Sequence, residues 1–388
     1  MRPVYLLRFT LVLTLLAISP VQAQIQRIAS ADTTAGNHFG AAVAYDGERL
    51  LLGASGEASC GENAGAAYIY ERRADGRYTN AARLVASECA AERFFGHAVA
   101  LSGDLALIAA SRAFHGDTTP NPVLLFERQA DGRWAETAQL LPGSPDAIIG
   151  FGVAVALDGE QALVGAEGDP ESGRPGSVFV YERDGQGTWR QTARIGAPGR
   201  FGAGLVLEGN QLAVTAPPAR EGRPDGAVFV YERDAAGTWQ AKGRIDGFRD
   251  VRLAVAFDGD RMLVGRANAG PRQRGAAEIY AWQGERWVRT ATLEPLTAYD
   301  FGAFGTAVAL SGDRALVAGY TEQLSLPYNI DRVVYVFGSE GTSTWRQRTV
   351  IDIGSTAFGV ALDLDGRTAL IGEAGDEEPG AAYIVRLF

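Results

Sequence analysis

Apolar residues along this chain come in short runs closed by Asp, Gly or Pro. Phe151 to Leu157 alternates small and larger apolar side chains and stops at Asp158-Gly159. Gln161 to Ala166 is a second run, and a polar loop from Glu167 to Pro175 leads to a third, Ser177 to Glu182. Asp184 to Gly187 turns the chain into a fourth run, Trp189 to Ile195. Runs of this length, bounded by turn formers, predict β-strands. Asp-Gly between two of them predicts a tight hairpin with positive φ at both central residues. The predicted unit is four antiparallel strands, with almost no helix.

The unit recurs. Phe-Gly-x-Ala-Val-Ala-Leu-Asp-Gly, cleanest at Phe151 to Gly159, returns from Phe39, Phe95, Phe201, Phe304 and Phe358, and a worn copy starts at Val251. The fourth run keeps its own rule, an aromatic followed six residues later by an aliphatic. The pairs are Tyr78 and Leu84, Trp134 and Leu140, Trp189 and Ile195, Trp239 and Ile245, Trp287 and Leu293, and Trp345 and Ile351. An even separation predicts that both side chains of a pair share one face of a strand. The slot reads as packing between neighbouring units rather than as a row of ligand platforms. Four-stranded units repeated in series predict an all-β, seven-bladed β-propeller of four-stranded antiparallel blades. Its blades start near residues 39, 95, 151, 201, 251, 304 and 358.

The last copy stops after its third run, Ala382 to Phe388, and lacks the aromatic–aliphatic strand. Arg27-Ile28 stands before Phe39 as Arg83-Leu84 stands before Phe95. The N-terminal strand, Ile25 to Ala29, is therefore expected to complete the last blade. Residues 24–388 form the propeller, with 24–38 closing the ring and leaving no raw sheet edge.

Met1 to Ala23 reads as a secretory signal peptide: Arg2 and Arg8, an uncharged apolar stretch from Phe9 to Ile18, and a small-x-small site at Val21-Gln22-Ala23. Cleavage after Ala23 predicts a secreted or periplasmic protein with no membrane span in the mature chain. The formal charge of −10 leaves no basic footprint for nucleic acid. Cys60 falls in the loop between strands two and three of the first blade, and Cys89 in the link to the second. Those segments share a face of the disc, so a Cys60–Cys89 disulfide is expected.

Phe-Gly at the start of the unit, Val164-Gly165-Ala166 after the hairpin, and Gly-x-Val-Phe-Val-Tyr-Glu-Arg at Gly176 to Arg183 and Gly226 to Arg233 resemble the FG-GAP repeat of integrin α-subunit propellers and of bacterial secreted proteins. The resemblance implies a recognition platform. Integrin-type repeats often carry a calcium loop between strands one and two. Here that loop is a tight turn, as at Asp46-Gly47 and Asp158-Gly159, and the longest acidic version, Asp363-Leu364-Asp365-Gly366, is too short for the six to eight oxygens calcium takes. The chain looks like the bacterial secreted type lacking the calcium loops, and no metal or cofactor is expected.

No nucleophile, zinc, phosphate or dinucleotide motif is present. The loops between strands two and three differ from blade to blade, and variable loops on a rigid scaffold are where binding resides. The longest, Tyr320 to Arg332, carries Leu324, Leu326, Tyr328 and Ile330, and the link Leu296 to Phe301 with Tyr299 lies on the same side. Tyr299, Leu324, Leu326, Tyr328 and Arg332 are the candidate ligand-binding residues. The function expected is a non-catalytic recognition scaffold for a protein or glycan partner. The alternatives are an axial-pocket enzyme acting on polysaccharide as a hydrolase or lyase, with His38, His97, Asp250 and Asp300 as its candidate groups, or a purely structural envelope component.

Overall fold

The computed structural model describes residues 25–30, 34–110, 121–143, 149–169, 171, 173–220, 222–250, 253–322, 330–341, 343–375 and 379–387. They form seven four-stranded antiparallel sheets, arranged as the blades of a propeller. In chain order the blades span Phe39–Leu84, Phe95–Leu140, Phe151–Ala197, Gly204–Phe248, Leu253–Leu293, Val308–Ser355 and Phe358–Arg386. The N-terminal strand β1 (Ile25–Ala29) pairs antiparallel with the last strand, Ala381–Arg386, with Ile25 opposite Val385 and Ala29 opposite Ala381. The ring therefore closes as the repeat arithmetic predicts.

Glycines of Phe-Gly and Val-Gly-Ala dovetail neighbouring blades at several seams of the ring. Gly202 of blade four's Phe-Gly takes φ +90°, and a Cβ there would lie 2.6 Å from the Ser177 carbonyl oxygen of blade three. Gly165 of Val-Gly-Ala in blade three would place a Cβ 2.2 Å from the Gly202 carbonyl oxygen. Only glycine fits both places, and the same opposition recurs at Gly53 with Gly96, Gly265 with Gly305 and Gly372 with Gly40. The corresponding Val251 and Arg252 of blade five lie outside the described residues.

The hairpins between strands one and two differ from the expectation. Asp158 is the last strand residue and pairs with Gln161. The central residues are Gly159 and Glu160, and of the pair only Gly159, at φ +53°, is left-handed. A glycine first in a two-residue loop is the type II′ solution, which needs one positive φ rather than two.

The fourth-strand pairs also depart from the reading. In blade three Val180 faces Ala193 but Tyr181 faces Gln191, so one extra residue bulges from the outer strand. A bulge reverses the alternation. Trp189 and Ile195 therefore lie on opposite faces. Trp189 packs into the core shared by blades two and three, and Ile195 into the core shared by blades three and four. Trp134 and Leu140, Trp239 and Ile245, and Trp287 and Leu293 divide in the same way. Packing between neighbours is the role of the slot, but each pair serves two neighbours.

Blade five replaces an aromatic contact with charge. In blades one, three, four, six and seven the Phe of Phe-Gly meets a third-strand aromatic edge to face, as Phe151 meets Phe179 with ring centres 5.4 Å apart and Phe201 meets Phe229 at 5.1 Å. Glu278 stands at that third-strand position in blade five, opposite Val264 as Phe179 stands opposite Val164. Arg266 fills the space, bonded to Asp250 at 3.0 Å and near Glu278 at 3.4 Å. Arg289 and the Tyr280 hydroxyl complete the coordination of Glu278 at 2.6 and 2.8 Å. A buried charge is tolerable only when paired in this way.

Candidate binding face

In an antiparallel blade, the loop between strands two and three and the link to the next blade emerge on the same side. Of the residues singled out for binding, Tyr299 and Arg332 lie on this link face. Leu324, Leu326 and Tyr328 lie outside the described residues. Tyr299 and Arg332 are described, and they belong to two neighbouring features of the face.

The first feature is a clasp between blades five and six. The link residues Phe301, Ala303 and Phe304 donate backbone hydrogen bonds to the carbonyls of Arg272, Gln273 and Arg274, at 2.8, 3.2 and 3.0 Å. Those acceptors belong to blade five's two–three loop, where Pro271–Gln273 makes a short 3-10 turn. Asp300 locks the clasp, accepting from Arg274 at 2.8 Å and pairing with Arg272. The hydrogen bonds from these two guanidiniums hold the Asp300 carboxyl below its ordinary pKa. Tyr299 is half-buried beside it, and its carbonyl accepts the Gly302 N–H at 3.1 Å.

The same clasp joins blades one and two. Glu92, Phe94 and Phe95 donate to the carbonyls of Glu62, Asn63 and Ala64 at 2.8, 2.8 and 3.1 Å. There the lock is covalent: Cys60 and Cys89 form a disulfide with Cα atoms 6.0 Å apart. Phe301 occupies the place of Glu92, and both backbones are left-handed, at φ +59°. Glu92 uses its side chain to accept from Asn63 at 3.2 Å. Phe301 instead leaves 66% of its surface in solvent, and Leu296 earlier in the same link leaves 84%. A bulky residue in a left-handed conformation is uncommon, and an exposed one gains no packing in return.

The second feature is a cleft of about 850 Å3 between blades six and seven. Arg332, on the strand Ile330–Ser339, stands on its blade-six wall. Its guanidinium lies over the Tyr320 ring, 5.1 Å from the centroid, and donates to Thr306 Oγ1 at 3.3 Å. The blade-seven wall carries Arg27, Glu373 and Tyr383. Arg27 Nε donates to Tyr383 Oη at 3.2 Å, and that hydroxyl donates to Glu373 Oε2 at 2.7 Å. Burial, then the bond to Glu373, raises the Tyr383 phenol above its ordinary pKa.

Of the groups considered for catalysis, Asp250 and Asp300 lie in separate ion-pair networks. Asp250 is 1% exposed and bonded to Arg266 in the blade-five network, whereas Asp300 belongs to the clasp. His38 and His97 flank the Phe-Gly of blades one and two, and burial lowers the His97 pKa. No group of three or more His, Cys, Asp or Glu side chains suited to a metal ion occurs among the described residues. Among them too, no helix is long and apolar enough to cross a membrane.

Residues 23–70, 78–120 and 134–181 each match the FG-GAP repeat. With seven four-stranded blades in one ring, the chain is a β-propeller that carries FG-GAP repeats. No match to it was found among curated proteins.

Proposed function

We propose that this protein is an exported, non-catalytic recognition scaffold that holds a protein or glycan partner on its link face, centred on the clasp between blades five and six. The observation that carries the reading is Phe301, an exposed aromatic held in a costly backbone conformation where the equivalent clasp presents Glu92. Exposed apolar groups on a rigid loop support a contact surface. Leu296 and Tyr299 extend it along the link, and Leu324, Leu326, Tyr328 and Arg332 are its expected continuation on blade six. Export is supported by the basic, apolar and small-residue pattern of residues 1–23 and by the disulfide, which belongs to an oxidising compartment.

The test is capture of partners from the native cell envelope with a Leu296→Ser/Phe301→Ser double variant. Both side chains lie outside the packed cores, so thermal unfolding should match the wild type. Capture should fall about tenfold or more. Undiminished capture by a folded variant would place the contact surface elsewhere.

A further inference from the structure

The cleft between blades six and seven has counterparts elsewhere in the ring. Blade four has a cleft of about 430 Å3 at the equivalent place, and blade two one of about 50 Å3. All three are built from the residue ending strand two, a third-strand side chain and the residue before the fourth-strand aliphatic. In blade four these are Ala216, Phe229 and Arg244; in blade two, Ala110, Leu124 and Gln139; in blade seven, Glu373, Tyr383 and Arg27. The repeat thus supplies a cavity, and each blade dresses it differently.

The arginine position shows the difference. Arg83 of blade one is neutralised by Glu57, which it meets through two nitrogens, the closest contact being 2.7 Å. Arg244 of blade four lies over the Phe229 ring at 4.6 Å and pairs with Asp246. Arg200, in the same blade-four cleft, pairs with Glu167 at 2.6 Å. Arg27 makes no ion pair among the described residues. Its Nε is fixed by the Tyr383 hydroxyl, and its two terminal nitrogens meet no described acceptor. One edge of the guanidinium is positioned, and the other is presented to the cleft.

We infer that this cleft is a binding site for an acidic saccharide, a chain of uronate-type sugars. The inference rests on the reading of the link face as a recognition face, but it concerns a different site from the clasp. The volume lies within the ~300–1,000 Å3 of small-ligand sites. Arg27 offers the planar pair of donors that a carboxylate takes bidentately. Glu373 accepts from sugar hydroxyls, and Ser355 and Thr356 supply hydroxyls to them. The Ser355 hydroxyl oxygen already accepts the Ala357 N–H at 3.2 Å, which leaves its proton for a ligand. A phosphate would bring a second negative charge towards Glu373. A peptide would find little to bury its side chains, because the walls are mainly small or polar. Hydroxyls with one carboxylate per unit fit the donor and acceptor set.

The experiment is titration calorimetry of the purified protein with trigalacturonate, with maltotriose and inorganic phosphate as controls. Trigalacturonate should bind with Kd below ~1 mM and more weakly at high salt, and neither control should bind comparably. Arg27→Met should weaken binding about tenfold or more. Because Arg27 lies on the closing strand, Arg332→Met on the opposite wall provides an independent variant. It should also weaken binding several-fold while leaving closure intact. The inference is overturned if trigalacturonate does not bind, if it binds no better than maltotriose or phosphate, or if a folded Arg27→Met or Arg332→Met protein binds it like the wild type. Loss of uronate binding with partner capture still dependent on Phe301 would remove this site and leave the recognition face standing.

Discussion

The carboxylate of Asp158 in blade three accepts the backbone N–H of Gly209, the first turn residue of blade four's inner hairpin, at 2.8 Å. The contact repeats around the ring. Gly159 donates to Ser102, Gly259 to Glu208, Gly312 to Asp258 and Gly366 to Ser311, at 2.9 to 3.0 Å. Where an inner strand ends in Asp-Gly, Glu-Gly or Ser-Gly, the glycine makes the turn and the oxygen of the residue before it reaches forward to the next blade. This gives the lone aspartate of the turn a structural task between blades.

Asp158→Ala should therefore lower stability by ~1 kcal/mol, the net worth of a hydrogen bond to a charged acceptor at a partly solvated site. Denaturant unfolding would register it. A variant as stable as the wild type would mean that water replaces the carboxylate without loss.

The outer-strand bulge makes a second claim. Trp189 and Ile195 are six residues apart, yet they face different neighbouring blades. Trp189→Ala should cost ~3–5 kcal/mol and Ile195→Ala ~2 kcal/mol or more, discounted for the partial exposure of both side chains. The double variant should show a coupling below ~0.5 kcal/mol, as for side chains that share no partner. A coupling above 1 kcal/mol would put both side chains in one core.

Asp363 gives a pH signature at the seam between blades seven and one. Its carboxylate is buried although the residue as a whole is half-buried. It accepts the Tyr45 N–H at 2.8 Å and the Leu364 N–H, also at 2.8 Å. Burial pushes its pKa up to about 6, and the nearby Asp365 and Asp46 add to the rise. A carboxyl whose pKa is higher folded than unfolded favours the fold while protonated. Its contribution is present below the unfolded value near 4 and is lost as pH rises through about 6. The full swing is on the order of 3 kcal/mol. Between pH 4 and 7.5 the wild type should lose more stability than Asp363→Asn, by 1–3 kcal/mol. Parallel pH profiles for the two proteins would refute the assignment.

Reduction tests the covalent clasp. Replacing Cys60 and Cys89 with serine should lower stability by ~3 kcal/mol in the chain-entropy view. The loss should be greater than that from Asp300→Asn at the equivalent clasp, where exposed ion pairs contribute ~1 kcal/mol or less. Equal losses at the two clasps would show that the backbone hydrogen bonds, not the locks, hold them.

Much of this architecture can be read from sequence because it is written seven times. Strand number, blade order, the Ile25–Ala29 closure and the Cys60–Cys89 pair follow from repeat position alone. The bulge does not. It adds one residue to a strand whose apolar pattern looks regular, and only the pairing of Tyr181 with Gln191 reveals it. The clasp lies within the Leu296 to Phe301 link that composition singles out. The match between Phe301 and Glu92 needs backbone geometry, because their local sequences differ. The blade-seven cleft was half visible. Arg27 marks the closing strand by its place before Ile28, but the fixing of its guanidinium depends on Tyr383, a partner 356 residues away in sequence.

That separation bears on how the molecule is made. Each of the first six blades is drawn from one continuous stretch and can fold as soon as that stretch is available. The seventh joins Ile25–Ala29 to strands from Phe358 onward, far away in sequence. Pairing across so many residues is slow to find, so Ile25–Ala29 is made before the blade cores and is placed after them. Until Ala381–Arg386 arrives, the nascent protein carries two unsatisfied strand edges. The strand Ala381–Arg386 thus acts as a check on completion of the ring. A chain stopped short of it is left as an open arc, exposed to proteases and prone to associate with its own copies.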